Sequence, residues 1–499
     1  MNKVVVIGAG IAGLSAGIYA LKSGFEVTIC EACGSPGGNC TGWRRGGYFF
    51  EGSMHWLNGS APDSPINRVW RETGALSDTS RIINHDPFLT SDCGGRQAYL
   101  YRDVDRLEQH LCGLSPEDIP LVKGMCADIR RFAAVDIPLT DIFGLKVRKK
   151  APSLLKTGTR ILPVALRMGA LGKISAGEYA GRFRSQAIRL LILNMVNPGY
   201  DAVSLFFTIS RFLSKDGGYV EGGTVNMVRN MVKRFTDSGG VIRYNARVKR
   251  VIVDRGRAGG VVLAEGTIPA DAVIVTADTL AANAVSGGLF SPPLRMPWLE
   301  KMYKNPQLIM NTFFCLGVEA DLAGLPPYIV FPLEKPFKFH GRELNYLACR
   351  NYAGYSGYAP EGCSALTVSI SSDSYGYWKL ARERGYYEQG KRELFGTVLE
   401  RLEAQFPAIR NRTAVRDIAT PLTYEKYCGT YRGSWMTKTP PGNHRRFPYP
   451  CKPGGVKNLY FAGQRIQPPG GLPVAVTTGR RAAQYLCRDF GMVFGSDIY

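Results

Sequence analysis

Three glycines near the start of the chain, Gly8, Gly10 and Gly13, stand as G-x-G-x-x-G between the β-branched run Val4-Val5-Val6-Ile7 and a helical stretch from Leu14 to Lys22. In that setting each glycine answers a mechanical need of pyrophosphate binding. The first permits a tight turn, and the second lets a phosphate approach the backbone. The third lets the helix pack on the strand while its N-terminal amides, those around Ile11 and Ala12, face the anion. Gly24 ends the helix and Phe25 to Cys30 reads as a second strand. Glu31, followed by Ala32, stands at that strand's end, where a carboxylate accepts ribose hydroxyl hydrogens and disfavours a 2′-phosphate. Gly37-Gly38-Asn39 adds a second set of backbone amides for the same phosphates.

The rest of the chain offers little acid–base or metal chemistry. His55, in Glu51-Gly52-Ser53-Met54-His55-Trp56, is one of five histidines. It reads either as a group that donates or accepts a proton near neutrality or as a histidine hydrogen-bonded in the core. Cys30-x-x-Cys33 lacks a partner pair and Cys40 does not complete a zinc site, so no metal is expected. The twelve cysteines form no dense ladder of short spacings and are read as reduced, cytoplasmic thiols.

The run from Val4 through Gly38, with Gly47-Tyr48-Phe49-Phe50-Glu51-Gly52, resembles the FAD-binding start of the carotenoid (phytoene) desaturase, carotenoid isomerase and retinol saturase superfamily, itself related to flavin amine oxidases. Gly217-Gly218-Tyr219 through Val241 to Asp278 resembles the middle FAD segment of those enzymes. The stretch from Asn458-Leu459-Tyr460-Phe461-Ala462-Gly463-Gln464 through Gly470-Gly471-Leu472-Pro473 to Ala483 resembles their C-terminal flavin motif. The resemblance implies non-covalent FAD and brings Gly52, Ser53, Met54 and His55 near the flavin ring. It also implies that Val248, by itself only a strand valine, meets the adenine through its backbone. Gly463, Gln464, Gly471, Leu472 and Pro473 would face the flavin, and a helix starting near Pro473 would present amides to the ring. Tyr427, Tyr431 and Trp435 lie in a segment similar to the family's substrate-side loop, and packing explains them equally well. Because a flavin carries the hydride chemistry itself, such a protein needs mainly to position an apolar substrate and exclude water.

These residues require an α/β architecture (α+β overall). The expectation is a Rossmann-like FAD-binding domain assembled from residues 1–85, 216–285 and 452–499. A substrate domain with a mixed sheet and helices would comprise residues 86–215 and 286–451. Short β-rich runs at Val241 to Tyr244, Val248 to Val253, Gly260 to Leu263 and Ala272 to Val275 predict a strand followed by a meander returning to the sheet. A strand near Ala365 to Ser371 and helices near Gly385 to Gln405 belong to the second domain.

With 499 residues, 45% hydrophobic and 21% charged, the chain is globular and excludes disordered and fibrous classes. Its net charge of +21 calls for an anionic partner. No nucleic-acid motif accompanies that charge, so an anionic membrane surface is expected instead. Between Asp141 and Glu178 there is no acidic residue but eight basic ones, and on a helix Lys156, Arg160 and Arg167 fall within roughly 40° of one another. Residues 142–177 read either as a membrane-facing helical element or as a solvated basic face, with Gly158 and Pro163 counting against a regular helix. No stretch reads as a transmembrane helix, so the protein is expected in the cytoplasm, peripheral on the inner face of a membrane.

The function expected is a FAD-dependent oxidoreductase acting on carbon–carbon single or double bonds of a long apolar isoprenoid or polyene, by desaturation, saturation or isomerisation. A flavin amine oxidase acting on a polar amine is an alternative, and a non-catalytic, FAD-stabilised lipid-binding protein is a second. There is no second G-x-G-x-x-G, so electrons would pass to or from oxygen, a quinone or external NAD(P)H, and an isomerase would show no net change.

Overall fold

The β-branched run at the N-terminus forms a strand whose two faces are both covered, as a central parallel strand requires. The computed structural model describes residues 1–135, 139–147, 158–213, 215–282, 289–290, 294, 296–304, 307–442 and 448–498. In chain order, the first elements that matter to the site are β1 (Lys3–Ile7), α1 (Ile11–Lys22), β2 (Glu26–Cys30), β3 (Tyr48–Glu51), β4 (Leu89–Cys93) and β5 (Arg96–Leu100). They are followed by α2 (Ile119–Ala133), α3 (Gly158–Leu171), α4 (Ala202–Leu213), α5 (Gly223–Asp237), β6 (Val241–Arg243), β7 (Arg250–Asp254) and β8 (Ala272–Val275). The last are β9 (Asn311–Val318), β10 (Tyr328–Phe339), β11 (Arg342–Asn351), β12 (Ser364–Ser371), β13 (Thr413–Ala419), β14 (Leu459–Phe461) and α6 (Leu472–Asp489).

A five-stranded sheet in the order β14-β8-β1-β2-β6 is parallel throughout, and its strands come from the beginning, middle and end of the chain. Alternation along β1 divides the core. Val4 and Val6 pack with α1, α5 and α6, whereas Val5 and Ile7 pack with Val251 and Val261 of a three-stranded antiparallel meander. A second, seven-stranded sheet runs β13-β9-β12-β11-β10-β4-β5, antiparallel except where β10 meets β4. Alternating apolar residues of its β9, β11 and β12, Phe314, Leu316, Leu347, Cys349, Leu366 and Val368 among them, make the face that packs on the helix Tyr387–Gln405.

Two expectations are corrected. The strand expected from Val248 begins at Arg250 instead, because the stretch before it is held against the end of β2, where Ala246 N–H donates to the Glu31 carbonyl at 2.8 Å. Val248 is therefore an extended linker residue, 8% exposed. The basic segment changes more. Residues 148–157 lie outside the described residues, and so do the side chains of 158–163. From Gly158 the chain is helical as α3, Pro163 included. Arg167 is not part of a solvated stripe, because it turns onto Asp128 of α2, with Nη2 2.6 Å and Nε 2.8 Å from Oδ2. Leu166 instead is exposed, at 73%. No helix among the described residues is long and apolar enough to cross a membrane.

Candidate functional site: a dinucleotide cleft continuous with an apolar chamber

The carboxyl ends of β1, β2 and β8 meet at one crevice, which is where open parallel sheets place ligands. Gly8 N–H donates to the Cys30 carbonyl, Thr276 N–H to Ile7 and Glu31 N–H to Arg243, fixing these ends side by side. Gly8 turns with φ +103°. A Cβ on Gly13 would lie 1.9 Å from the Gly8 carbonyl oxygen, so only glycine lets α1 start this close to β1. The second glycine segment docks on the first, with Gly37 N–H donating to the Ala9 carbonyl at 2.9 Å and Gly10 bridged to Gly37. Glu31 receives the Ala9 amide on Oε2 at 2.7 Å and the Cys33 amide on Oε1 at 2.9 Å.

From this crevice a single cavity of about 1180 Å³ extends between the two sheets. His55 and every cofactor-binding candidate named from the sequence except Gly13 line it. At one end lie the fingerprint loop, Glu31, Ala32, Gly37, Gly38, Asn39 and Val248. Across from them stands the loop after β14, where Gly463, Gly470 and Gly471 take φ of +127°, +101° and +88°. Gln464 Oε1 accepts the Gly471 amide at 3.2 Å and closes that loop just before α6, whose start at Leu472 and Pro473 opens onto the cavity. Gly52, Ser53, Met54 and His55 form the wall between these ends, and beyond them the cavity becomes apolar, lined by Leu193, Met195, Val196, Phe207, Leu344 and Leu347. Tyr427 and Trp435 reach the cavity, but Tyr431 packs away from it in the core behind the sheet.

A dinucleotide fits what is built here. The cradle has no room for a side chain at Gly13 or Gly37, and the buried Asn39 Oδ1 has no partner within the chain. The thiols that line the cavity are held protonated by burial, which pushes Cys30 up to about 11 and Cys428 up to about 12, so none is poised as a nucleophile. His55 is also held neutral: burial first, and then the charge of Arg350, push its pKa well below the ordinary value. Its Nδ1 is buried without a partner, and its ring lies 6.2 Å from that of Trp435. Among the described residues no group of three His, Cys, Asp or Glu side chains could hold a metal.

Two residues that the sequence did not single out hold this wall in place, and a third touches it. Glu51, at the end of β3, accepts the amides of Ser53 and Met54 on Oε1 and that of Thr224 on Oε2, tying the wall to the start of α5. Burial raises its pKa against the pull of those bonds. Arg465, 1% exposed, pairs with Asp278 after β8 at 2.9 Å and binds Ser434 and Thr437, locking the C-terminal loop to the middle segment. A charged residue inside an otherwise uncharged glycine loop was the available signal. The third is Arg350 on β11, which reaches the His55 carbonyl at 3.4 Å.

Comparison with known proteins agrees with this geometry. Phytoene desaturase (lycopene-forming) of Pseudescherichia vulneris is 24% identical over 98% of this chain and 100% of its own length. Prolycopene isomerase of Daucus carota is 25% identical, over 99% of this chain and 81% of its own. Among solved structures, putrescine oxidase bound to putrescine superposes with a TM-score of 0.60 at 15% identity, covering 97% of this chain and 98% of that one. Cyclohexylamine oxidase of Brevibacterium oxydans gives 0.57 at 16% identity, covering 98% and 99%. Residues 11–487 match the flavin containing amine oxidoreductases, and the chain, a flavin-dependent oxidoreductase, belongs to that family.

Proposed function

We propose that the protein binds FAD non-covalently and acts on carbon–carbon bonds of a long apolar isoprenoid or polyene. The observation that carries this reading is the continuity of one cavity from the glycine cradle into an apolar chamber, with His55 in the wall where the two meet. The cradle, Glu31 and the C-terminal loop would hold the nucleotide, which supplies the hydride chemistry when bound. The apolar chamber would orient the chain of the substrate and exclude water. His55 stays neutral there and serves as a hydrogen-bonding group rather than a store of protons.

The relatives named desaturase and isomerase favour this substrate class over amines, and so does the charge in the chamber. An ammonium substrate would meet the guanidinium of Arg350, while the carboxylates that line the cavity among the described residues, Glu31, Asp216 and Asp278, are bound within the chain. The natural electron partner would be oxygen, a quinone or an external NAD(P)H-dependent donor. The FAD-binding residues 1–85, 216–285 and 452–499 would form one domain and residues 86–215 and 286–451 the other. We place the protein in the cytoplasm, against the inner face of a membrane.

The test is release of the cofactor by acid or heat followed by anaerobic incubation of the holoenzyme with polyenes and with primary amines. Released FAD, together with a change in polyene absorbance and no amine turnover, is the expected result. Amine-dependent bleaching of the flavin would transfer the assignment to the amine oxidases. Reversible flavin reduction with neither substrate class acted on would favour a lipid-binding protein.

A further inference from the structure

Arg350 stands in an environment that hydrocarbon recognition does not call for. Its guanidinium lies 3.8 Å from the ring centre of Tyr328 and 6.0 Å from that of Phe88, and Nη1 donates to the His55 carbonyl over a long 3.4 Å. Nη2 is buried with no partner. Aromatic faces and one long contact to a neutral oxygen offset part of the cost of holding a cation there, but not its charge.

No carboxylate of the cavity is available to it. Among the described residues the carboxylates lining the cavity are Glu31, Asp216 and Asp278. Glu31 holds the Ala9 and Cys33 amides at the far end, Asp216 holds those of Gly59 and Ala61, and Asp278 is paired with Arg465. On its other side Arg350 lines a second cavity of about 10 Å³, shared with His85 and Tyr355, which is room for one water at most. An anion able to reach the guanidinium must therefore come along the main cavity.

The geometry of β11 says what kind of anion. Arg342, exposed at the start of the strand, and Arg350 near its end both line the cavity, with Leu344, Tyr346 and Ala348 between them. At ~3.3 Å per residue they stand on the order of 26 Å apart. The path from solvent to Arg350 is thus long and mostly apolar. We infer that Arg350 receives the terminal carboxylate of a long apolar chain, so that the substrate is an isoprenoid or polyene acid rather than a hydrocarbon. This rests on the function proposed above and narrows its substrate class.

Binding is measured on the holoenzyme by perturbation of the flavin spectrum, with a twenty-carbon polyene carboxylic acid, the corresponding alcohol and the hydrocarbon, for the wild type, Arg350→Met and Arg350→Lys. The wild type should prefer the acid to the hydrocarbon by about 30-fold, the scale of one charge-assisted hydrogen bond in a dry site. Arg350→Met should abolish that preference while binding the hydrocarbon within about 3-fold of wild type, and Arg350→Lys should restore part of it. Unfolding temperature shows whether each variant is folded. Equal binding of acid and hydrocarbon by the wild type, with turnover of either, overturns the inference and leaves the proposed function standing. An Arg350→Met variant that weakens all three ligands alike, or that shifts the flavin reduction potential with the acid preference intact, overturns it too, since Arg350 would then serve the fold or the flavin. Failure to bind any of the three defeats the proposed function together with the inference.

Discussion

A single methyl group decides whether the nucleotide cradle exists. Gly13→Ala would place a carbon 1.9 Å from the Gly8 carbonyl oxygen and 2.7 Å from Thr276 Oγ1, and neither the turn nor the strand end can retreat. The variant should lose flavin on purification and lose roughly 1–3 kcal/mol of stability, measured by flavin content and denaturant unfolding. This requirement is visible in the sequence because its causes lie within about ten residues of one another. Arg350 was invisible for the opposite reason: the His55 carbonyl it meets is 295 positions away, and nothing around Leu347 or Cys349 marks a cavity. His55 was legible as a residue in the wall but not in its protonation. Burial and the Arg350 charge hold it neutral, whereas in the unfolded chain it takes up a proton near pH ~6.5. The unfolded state therefore binds more protons below that pH, and stability falls as the solution is acidified, by up to about 1.4 kcal/mol per pH unit from this group. His55→Asn should flatten the stability curve between pH 5 and 7, and an unchanged slope would mean that the imidazole is solvated in the folded state.

Elements reach the site through contacts that helical and strand periodicity do not encode. The parallel strands were readable from β-branched runs bounded by glycine, and α1 from the fingerprint itself. The resemblance put the middle and C-terminal segments in one domain, but the contact that ties them was not readable, because Arg465 and Asp278 are 187 positions apart. Both are almost fully buried, with side chains 1% and 4% exposed. Removing one charge of such a pair strands the other, so Asp278→Asn should cost about 3–5 kcal/mol. It should also loosen the loop that carries Gln464 and Gly471. Denaturant unfolding together with the flavin dissociation constant checks both effects, and a loss well under 1 kcal/mol would show that Ser434 and Thr437 suffice to hold Arg465. The same limit explains the basic segment. A helical wheel groups Arg167 with Lys156 and Arg160, yet it cannot see Asp128 on a neighbouring helix, which takes Arg167 out of the exposed charge.

At the scale of the whole molecule, an excess of +21 charges and the delivery of the proposed water-insoluble substrate pose one problem. A polyene resides in a bilayer, so an enzyme that draws on it gains rate by staying at the bilayer surface, and a strongly basic protein is attracted to anionic lipid by about 1 kcal/mol per well-placed Lys or Arg. Phe143 and Leu166, at 97% and 73% exposure, are large apolar side chains that flank the segment richest in basic residues, and Lys146 lies between them in sequence. Contact of this segment with a membrane would cover such side chains while cationic groups meet lipid headgroups. The expected outcome is that the holoenzyme floats with vesicles containing anionic lipid at low ionic strength and stays down with neutral vesicles. Turnover of a polyene supplied in the anionic vesicles should then exceed turnover from neutral ones. Raising the salt to about 0.5 M, where screening shortens to a few ångströms, should remove both differences. Neutralising Lys149, Lys156 and Arg160 together should do the same at low salt, with flavin content unchanged. Flotation that survives both treatments would mean that apolar insertion around Leu166 holds the protein to the bilayer, and a Leu166→Gln variant would then be the one that releases it.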